Sequence, residues 1–107
     1  MDANIPRVAI CTCAKNEEWY INDWLKYHFD LGFDHVYLYD NNDFKDIGKY
    51  IDAQFSGKVT IINIHGKRNI QKWIYSWWWN KYRTLYDWVA VIDIDEFVEI
   101  VDKTKTI

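Results

Sequence analysis

Three carboxylates, Asp93, Asp95 and Glu96, fall within four positions directly after the apolar run Trp88, Val89, Ala90, Val91, Ile92. A run of that kind reads as a buried strand, so the acids are expected where the strand leaves its sheet. Aspartates at i and i+2 of an extended chain point the same way, and one divalent cation neutralises both. Oxygen ligands favour hard metals such as Mg²⁺ or Mn²⁺, which keep several waters and bridge to substrate phosphates. Spacing alone equally fits a strand that ends in a solvated acidic turn, because Asp-x-Asp is short and common.

Two more polar clusters follow apolar runs. Lys15, Asn16 and Glu17 come after residues 7–13, and Asp40, Asn41, Asn42 and Asp43 come after residues 35–39. In a parallel sheet such strand ends share one edge, so residues distant in sequence converge on one crevice.

Periodicity supplies the elements that must position these groups. Strands are predicted at residues 7–13, 35–39, 58–64 and 88–92, with a short fifth at 97–101 and Phe97 in the core. Asn16 reads as the N-cap of a first helix whose opening turn carries Glu17 and Glu18, and Gly32 stops it. Tyr20, Ile21, Trp24, Leu25, His28 and Leu31 recur at helical spacing and form its buried face. His28 on that face reads as a structural histidine rather than a base. Neither His35 nor His65 shows a partner in sequence. A short helix is predicted at 46–55 and a long one at 69–86. The alternation implies right-handed crossovers and an α/β fold of Rossmann-like, three-layer type, a mainly parallel sheet with helices on both faces.

The long helix is unusually apolar. Ile70, Trp73, Ile74, Trp77, Trp78 and Leu85 form one stripe, and Tyr75, Trp79, Tyr82 and Tyr86 form a second beside it. Packing on one sheet face explains an arc of roughly 100°. Either this helix is covered on two sides or it exposes an aromatic patch, which makes a homo-oligomer through it an expected partner mode. Seven Trp, eight Tyr and five Phe make up 19% of the chain, which is the source of that excess.

At 107 residues, 50% hydrophobic and 27% charged, the chain has the size and composition of one folded domain, 1–107. A net charge of −3 with scattered basic residues does not form a nucleic-acid footprint. No apolar run approaches the roughly 18 residues of a membrane span, and no secretory signal is legible at the N-terminus. A cytoplasmic location is expected, with peripheral membrane association left open. Cys11 and Cys13 lie two apart on a strand, share a face and are poorly placed to bond each other; a buried thiol pair is expected.

Together the clusters resemble the nucleotide-diphospho-sugar (GT-A type) glycosyltransferases, in particular the branch around families 2 and 92. The resemblance rests on Lys15-Asn16-Glu17, Asp23-Trp24, Tyr27-His28, Gly32, Tyr39-Asp40-Asn41 and Asp93-Ile94-Asp95-Glu96-Phe97, in order over nearly the whole chain. It implies a metal-dependent, hexosyltransferase-like enzyme moving a sugar from a nucleoside-diphosphate sugar, a UDP-sugar foremost, to a glycan or lipid-linked acceptor. Cys13, Ala14 and Asn16, with Glu17 beside them, would line the nucleobase pocket. Asp40 would bind base or ribose with Asn41 adjoining, and Gln71 would face the nucleotide. Asp93 would contact the ribose or a metal-bound water, and Asp95 would ligate Mn²⁺ or Mg²⁺; both stand as metal candidates. No catalytic base is assigned. Read from the residues alone, Lys15 serves to neutralise Glu17 or the acidic cluster, and Glu96 to orient Lys15 rather than touch substrate. Relatives of this type continue well past the Asp-x-Asp strand into an acceptor-binding half, so the chain reads as a truncated donor-binding domain. Two readings compete: a non-catalytic nucleotide- or partner-binding module, and another phosphate-binding α/β domain with Asp40 as nucleophile.

Overall fold

The computed structural model describes residues 5–68 and 70–99, with only the backbone of Gln71. Four strands, β1 (Val8–Ala14), β2 (His35–Asp40), β3 (Val59–Asn63) and β4 (Trp88–Val91), form one sheet of order β3-β2-β1-β4. All three pairings are parallel. Helix α1 (Ile21–Leu31) and helix α2 (Gln71–Tyr82) lie on opposite faces.

The two cores explain why β1 and β2 read as unbroken apolar runs, since each alternates its side chains between two covered faces. Val8, Ile10, Val36 and Leu38 pack with Ile21, Trp24 and Leu25 of α1. Ala9, Cys11, Tyr37 and Tyr39 pack with Ile74 and Trp78 of α2. Gly32 ends α1 in a left-handed conformation, φ 114°, and Phe33 N–H reaches back to His28 O at 3.2 Å.

Several boundaries differ from the expectation. Asn16 does not cap α1: it takes φ 59°, a left-handed turn that asparagine tolerates, and the helix begins only at Ile21. Glu17 and Glu18 therefore stand ahead of the helix. The 46–55 segment is two 3₁₀ turns, Ile47–Tyr50 and Ala53–Phe55, because Ile47 and Phe55 must both reach the α1-side core. The long helix gives way after Tyr82 to a 3₁₀ turn, Arg83–Leu85; predicted residue 69 lies outside the described residues. No strand forms at 97–99, and 100 and 101 lie outside the described residues. Phe97 is half exposed rather than core, lying 5.7 Å from the His28 ring in a stacked arrangement.

Only one stripe of α2 is buried. Ile70, Ile74 and Trp78 face the sheet, with Tyr82 and Tyr86 continuing the line at four-residue spacing. Trp73, Tyr75, Trp77, Trp79 and Leu85 are exposed, so the aromatic excess is on the surface of this chain.

Candidate functional site

Register sets the geometry of the carboxyl edge. Ala14 pairs with Asp40, and Asp40 with Asn63, so β1, β2 and β3 end level; Val91 pairs with Cys11. Neighbouring parallel strands lie about 4.8 Å apart, so three chain reversals crowd together here.

The reversals are tied by hydrogen bonds between loops. Asn41 N–H donates to Ala14 O at 2.9 Å, and Asn16 N–H donates to Asn42 Oδ1 at 2.5 Å. With its amide turned to satisfy its neighbours, Asn41 donates to Ile64 O at 2.8 Å and Lys67 O at 3.1 Å. Asp40 is the centre of this network. Its carboxylate is 2% exposed and accepts from Asn42 N–H (3.1 Å), Ile47 N–H (2.9 Å) and His65 Nε2 (2.9 Å). Asp40 thus fixes the loop that presents Asn41 and Asn42.

Over these loops lies an open cavity of about 1050 Å³, whose walls include Lys15, Asn41, Asp43, Lys67, Arg68 and Lys72. Four of those six side chains are cationic, although the basic residues look scattered in sequence. The cavity also reaches Ile70, so it opens at the amino end of α2, where free N–H groups and the helix dipole favour an anion. Gly66, at φ 71°, supplies the left-handed turn that brings Lys67 and Arg68 to its rim. The missed signal was that β3 ends at the same edge as the other strands, which gives Gly66-Lys67-Arg68 the same standing as the three polar clusters.

The acidic segment lies on the other side of β1. It is a turn, not extended chain: Glu96 N–H donates to Asp93 O at 3.0 Å, and Glu96 Oε1 accepts from Asp93 N–H at 2.8 Å. Glu96 closes its own turn instead of orienting Lys15. Ile94 plunges into the α1-side core, while Asp93, Asp95 and Glu96 stay exposed. Partial burial first, then the charges of Glu96 and Asp95, push the Asp93 carboxyl above its ordinary 3.8. The turn thus gathers carboxylates of like charge at the surface. Cys13 and Asp93 share the wall of a small crevice of about 60 Å³ with Tyr75 of α2. Cys11 beneath them is buried, and burial with the Cys13 charge pushes its thiol up to about 12, so it stays protonated.

Tyr20 links the first cluster to the acids. Its hydroxyl donates to Glu17 Oε2 at 2.9 Å, while Glu17 Oε1 accepts from Lys15 N–H at 3.2 Å. Burial, the Glu17 hydrogen bond and the charges of Glu17 and Asp95 push the Tyr20 phenol up to about 12. The Lys15 side chain borders the cavity.

Helix α1 explains why Trp24, Tyr27 and His28 belong to the pattern. Trp24 Nε1–H donates to Glu96 O (2.8 Å), Tyr27 Oη–H donates to Val98 O (2.7 Å), and Val98 N–H donates to His28 Nε2 (3.2 Å). Three helical side chains hold the segment that follows the acidic turn. His28 is fully buried with its Nδ1 proton on Trp24 O at 2.9 Å, a satisfied structural histidine; burial lowers its pKa from 6.5. His35 bonds Thr60 Oγ1 at 2.7 Å, a partner that only strand pairing reveals.

Of the sequence-predicted site residues, Ala14, Asp40 and Asn41 are buried at the edge, Cys13 and Glu17 are half-buried, and Asn16 is exposed. The Gln71 backbone begins α2 beside the cavity. Among the described residues one group offers three ligand atoms within 4.8 Å of one another: Asp40, Asp46 and His65.

An all-parallel sheet with loops, cations and acids gathered on its carboxyl edge defines an α/β domain of the Rossmann-like GT-A class. The chain belongs to glycosyltransferase family 92, whose family model matches residues 7–107. It is 28% identical over 99 residues to a glycosyltransferase family 92 protein of Ricinus communis, covering 87% of this chain and 17% of that one. A family 92 protein of Oryza sativa subsp. japonica is 25% identical over 103 residues, covering 85% and 16%, and one of Arabidopsis thaliana is 27% identical over 96, covering 84% and 16%. The chain thus spans 16–17% of the length of these relatives. No solved structure matches it. Among the described residues no helix is long and apolar enough to cross a membrane.

Proposed function

We propose that this chain is the donor-binding part of a metal-dependent glycosyltransferase that takes a nucleoside-diphosphate sugar, a UDP-sugar foremost, and serves transfer to a glycan or lipid-linked acceptor. The observation that carries this reading is one sheet edge bearing a cavity lined by four cations on one side of β1 and the acidic turn on the other. Ligand pockets commonly span roughly 300–1,000 Å³, and this open cavity, at about 1050 Å³, is just above that range.

Roles follow from position. Lys15, Lys67, Arg68 and Lys72 offset the charge of the diphosphate, and the amino end of α2, starting at Gln71, adds its dipole. Cys13, Ala14, Asn16 and Glu17 form the nucleoside wall. Asn41 presents that wall from the second loop, and Asp40 serves base and ribose binding through the loop it fixes. Asp93 and Asp95 would hold Mn²⁺ or Mg²⁺, and the ion would stabilise the negative charge that the leaving diphosphate gains. Trp24, Tyr27 and His28 keep the acidic turn in place for it.

A second reading, a nucleotide- or partner-binding module without turnover, is favoured by the exposed Trp73, Trp77 and Trp79 of α2, which suit a protein surface or a second copy of this chain. Calorimetric titration with UDP, with and without Mn²⁺, separates the two readings. Metal-dependent binding weakened more than about tenfold by Asp95→Ala, roughly 1.4 kcal/mol, supports the donor site. Folded protein that binds no UDP in either condition removes it.

A further inference from the structure

Among the described residues, the acidic turn is not the place where ligand atoms converge most closely. That place is the pair of loops after β2 and β3, where His65 Nε2 stands between two carboxylates, 2.9 Å from Asp40 Oδ2 and 3.5 Å from Asp46 Oδ1. We propose that Asp40, Asp46 and His65 form a second divalent-metal site, of the zinc class, separate from the acids at 93–96.

Four features of the two loops support this site. First, ligand spacing suits a shared ion. Donors about 2.0–2.1 Å from a tetrahedral zinc stand about 3.3 Å from each other, and the two distances from Nε2 bracket that value. Second, the donor set selects the metal. An imidazole nitrogen with carboxylate oxygens suits zinc and its transition-metal neighbours, whereas magnesium prefers oxygen alone.

Third, the ligands are held by other contacts. His65 N–H donates to Asn63 Oδ1 at 2.8 Å, fixing the backbone from which the imidazole projects. Asp40 accepts Asn42 N–H on Oδ1 and Ile47 N–H on Oδ2, which leaves the second lone pair of Oδ2 for His65. Such outer partners orient ligands and tune their basicity. Fourth, burial is graded. The Asp40 side chain is 2% exposed, that of His65 20% and that of Asp46 53%. The site is closed on the protein side and open to solvent at Asp46, so water completes the coordination and the ion has a way in.

The ion would replace the proton that now bridges imidazole and carboxylate. Bound there, it joins the loop that presents Asn41 and Asp43 to the turn that presents Gly66 and Lys67, and both border the cavity. Its effect is to stiffen that rim. Lys49, whose ammonium lies 3.7 Å from Asp46 Oδ2, is the cation it would compete with at the exposed end.

Zinc chloride titrated into chelator-treated protein, followed by calorimetry and by the histidine side-chain nitrogen signals in NMR, tests the site. One equivalent binds, His65 Nε2 alone among the three histidines shifts as a metal ligand, and Mg²⁺ does not compete. His65→Gln and Asp46→Asn each weaken binding more than about tenfold. Asp95→Ala leaves it unchanged, which keeps this result independent of the UDP experiment. Asp46 is exposed, so Asp46→Asn folds normally and gives the clean comparison. Absence of zinc binding, or binding that survives both substitutions, overturns the site and leaves a hydrogen-bonded triad bridged by a proton only.

Discussion

Replacing Asp40 with alanine removes the acceptor for two backbone N–H groups that have no route to water. Asn42 is 1% exposed and Ile47 is fully buried, and their N–H groups reach Asp40 at 3.1 and 2.9 Å. Stranding a buried donor costs about 1–3 kcal/mol, and the half-open His65 bond adds less, so the total loss is about 3–5 kcal/mol. Against a stability of roughly 5–15 kcal/mol for a domain, this is a large fraction. Urea unfolding read by the fluorescence of the seven tryptophans measures it. With m values of about 1–3 kcal/mol per molar, the midpoint falls by on the order of 2 M at unchanged m. Asp40→Asn falls between, because its oxygen keeps one N–H while its amide nitrogen opposes the other. A loss below about 1 kcal/mol in Asp40→Ala would mean that water or a local shift satisfies both donors and that Asp40 does not hold the loop.

Acid weakens the fold through His28. Burial holds its pKa below 6.5, so its contribution is complete above about pH 6.5 and is lost as pH falls through the lower folded value. His35, also lowered by burial and by Arg7, titrates in the same direction, so the diagnostic is a shallower decline of stability between neutral and acid pH in His28→Gln than in wild type; parallel curves would clear His28. At the cavity, the double substitution Lys67→Ala, Lys72→Ala weakens UDP binding about tenfold at low salt, and the difference shrinks near about 0.5 M salt as screening takes over. An effect independent of salt would mean that these side chains act by shape and not by charge.

Local signals carried much of the fold. Unbroken apolar runs at 8–11 and 36–39 specify strands covered on both faces, helical spacing specifies the α1 face at Ile21, Trp24, Leu25 and His28, and alternation of types specifies a parallel sheet. Polar clusters after those strands marked the carboxyl edge for the same reason. The finer boundaries were not legible, because they answer to distant partners. Asn16 turns left-handed where a cap was expected, its N–H bonded to Asn42. The acids at 93–96 curl into a turn because Glu96 reaches Asp93 N–H and Trp24 of α1 holds Glu96 O.

The four strands, the two main helical segments and the polar groups at the strand ends were legible in the sequence alone, though not their boundaries, since hydrophobic period and turn chemistry act over a few neighbours. Packing in three dimensions decided that the buried line of α2 takes Ile70, Ile74 and Trp78 from one aromatic stripe and Tyr82 and Tyr86 from the other, that Lys15 joins Lys67, Arg68 and Lys72 around one cavity, and that His65 meets Asp40 and Asp46. Those outcomes depend on strand order and register, which place side chains 25 or more residues apart within a hydrogen bond of each other, and no local pattern encodes that distance.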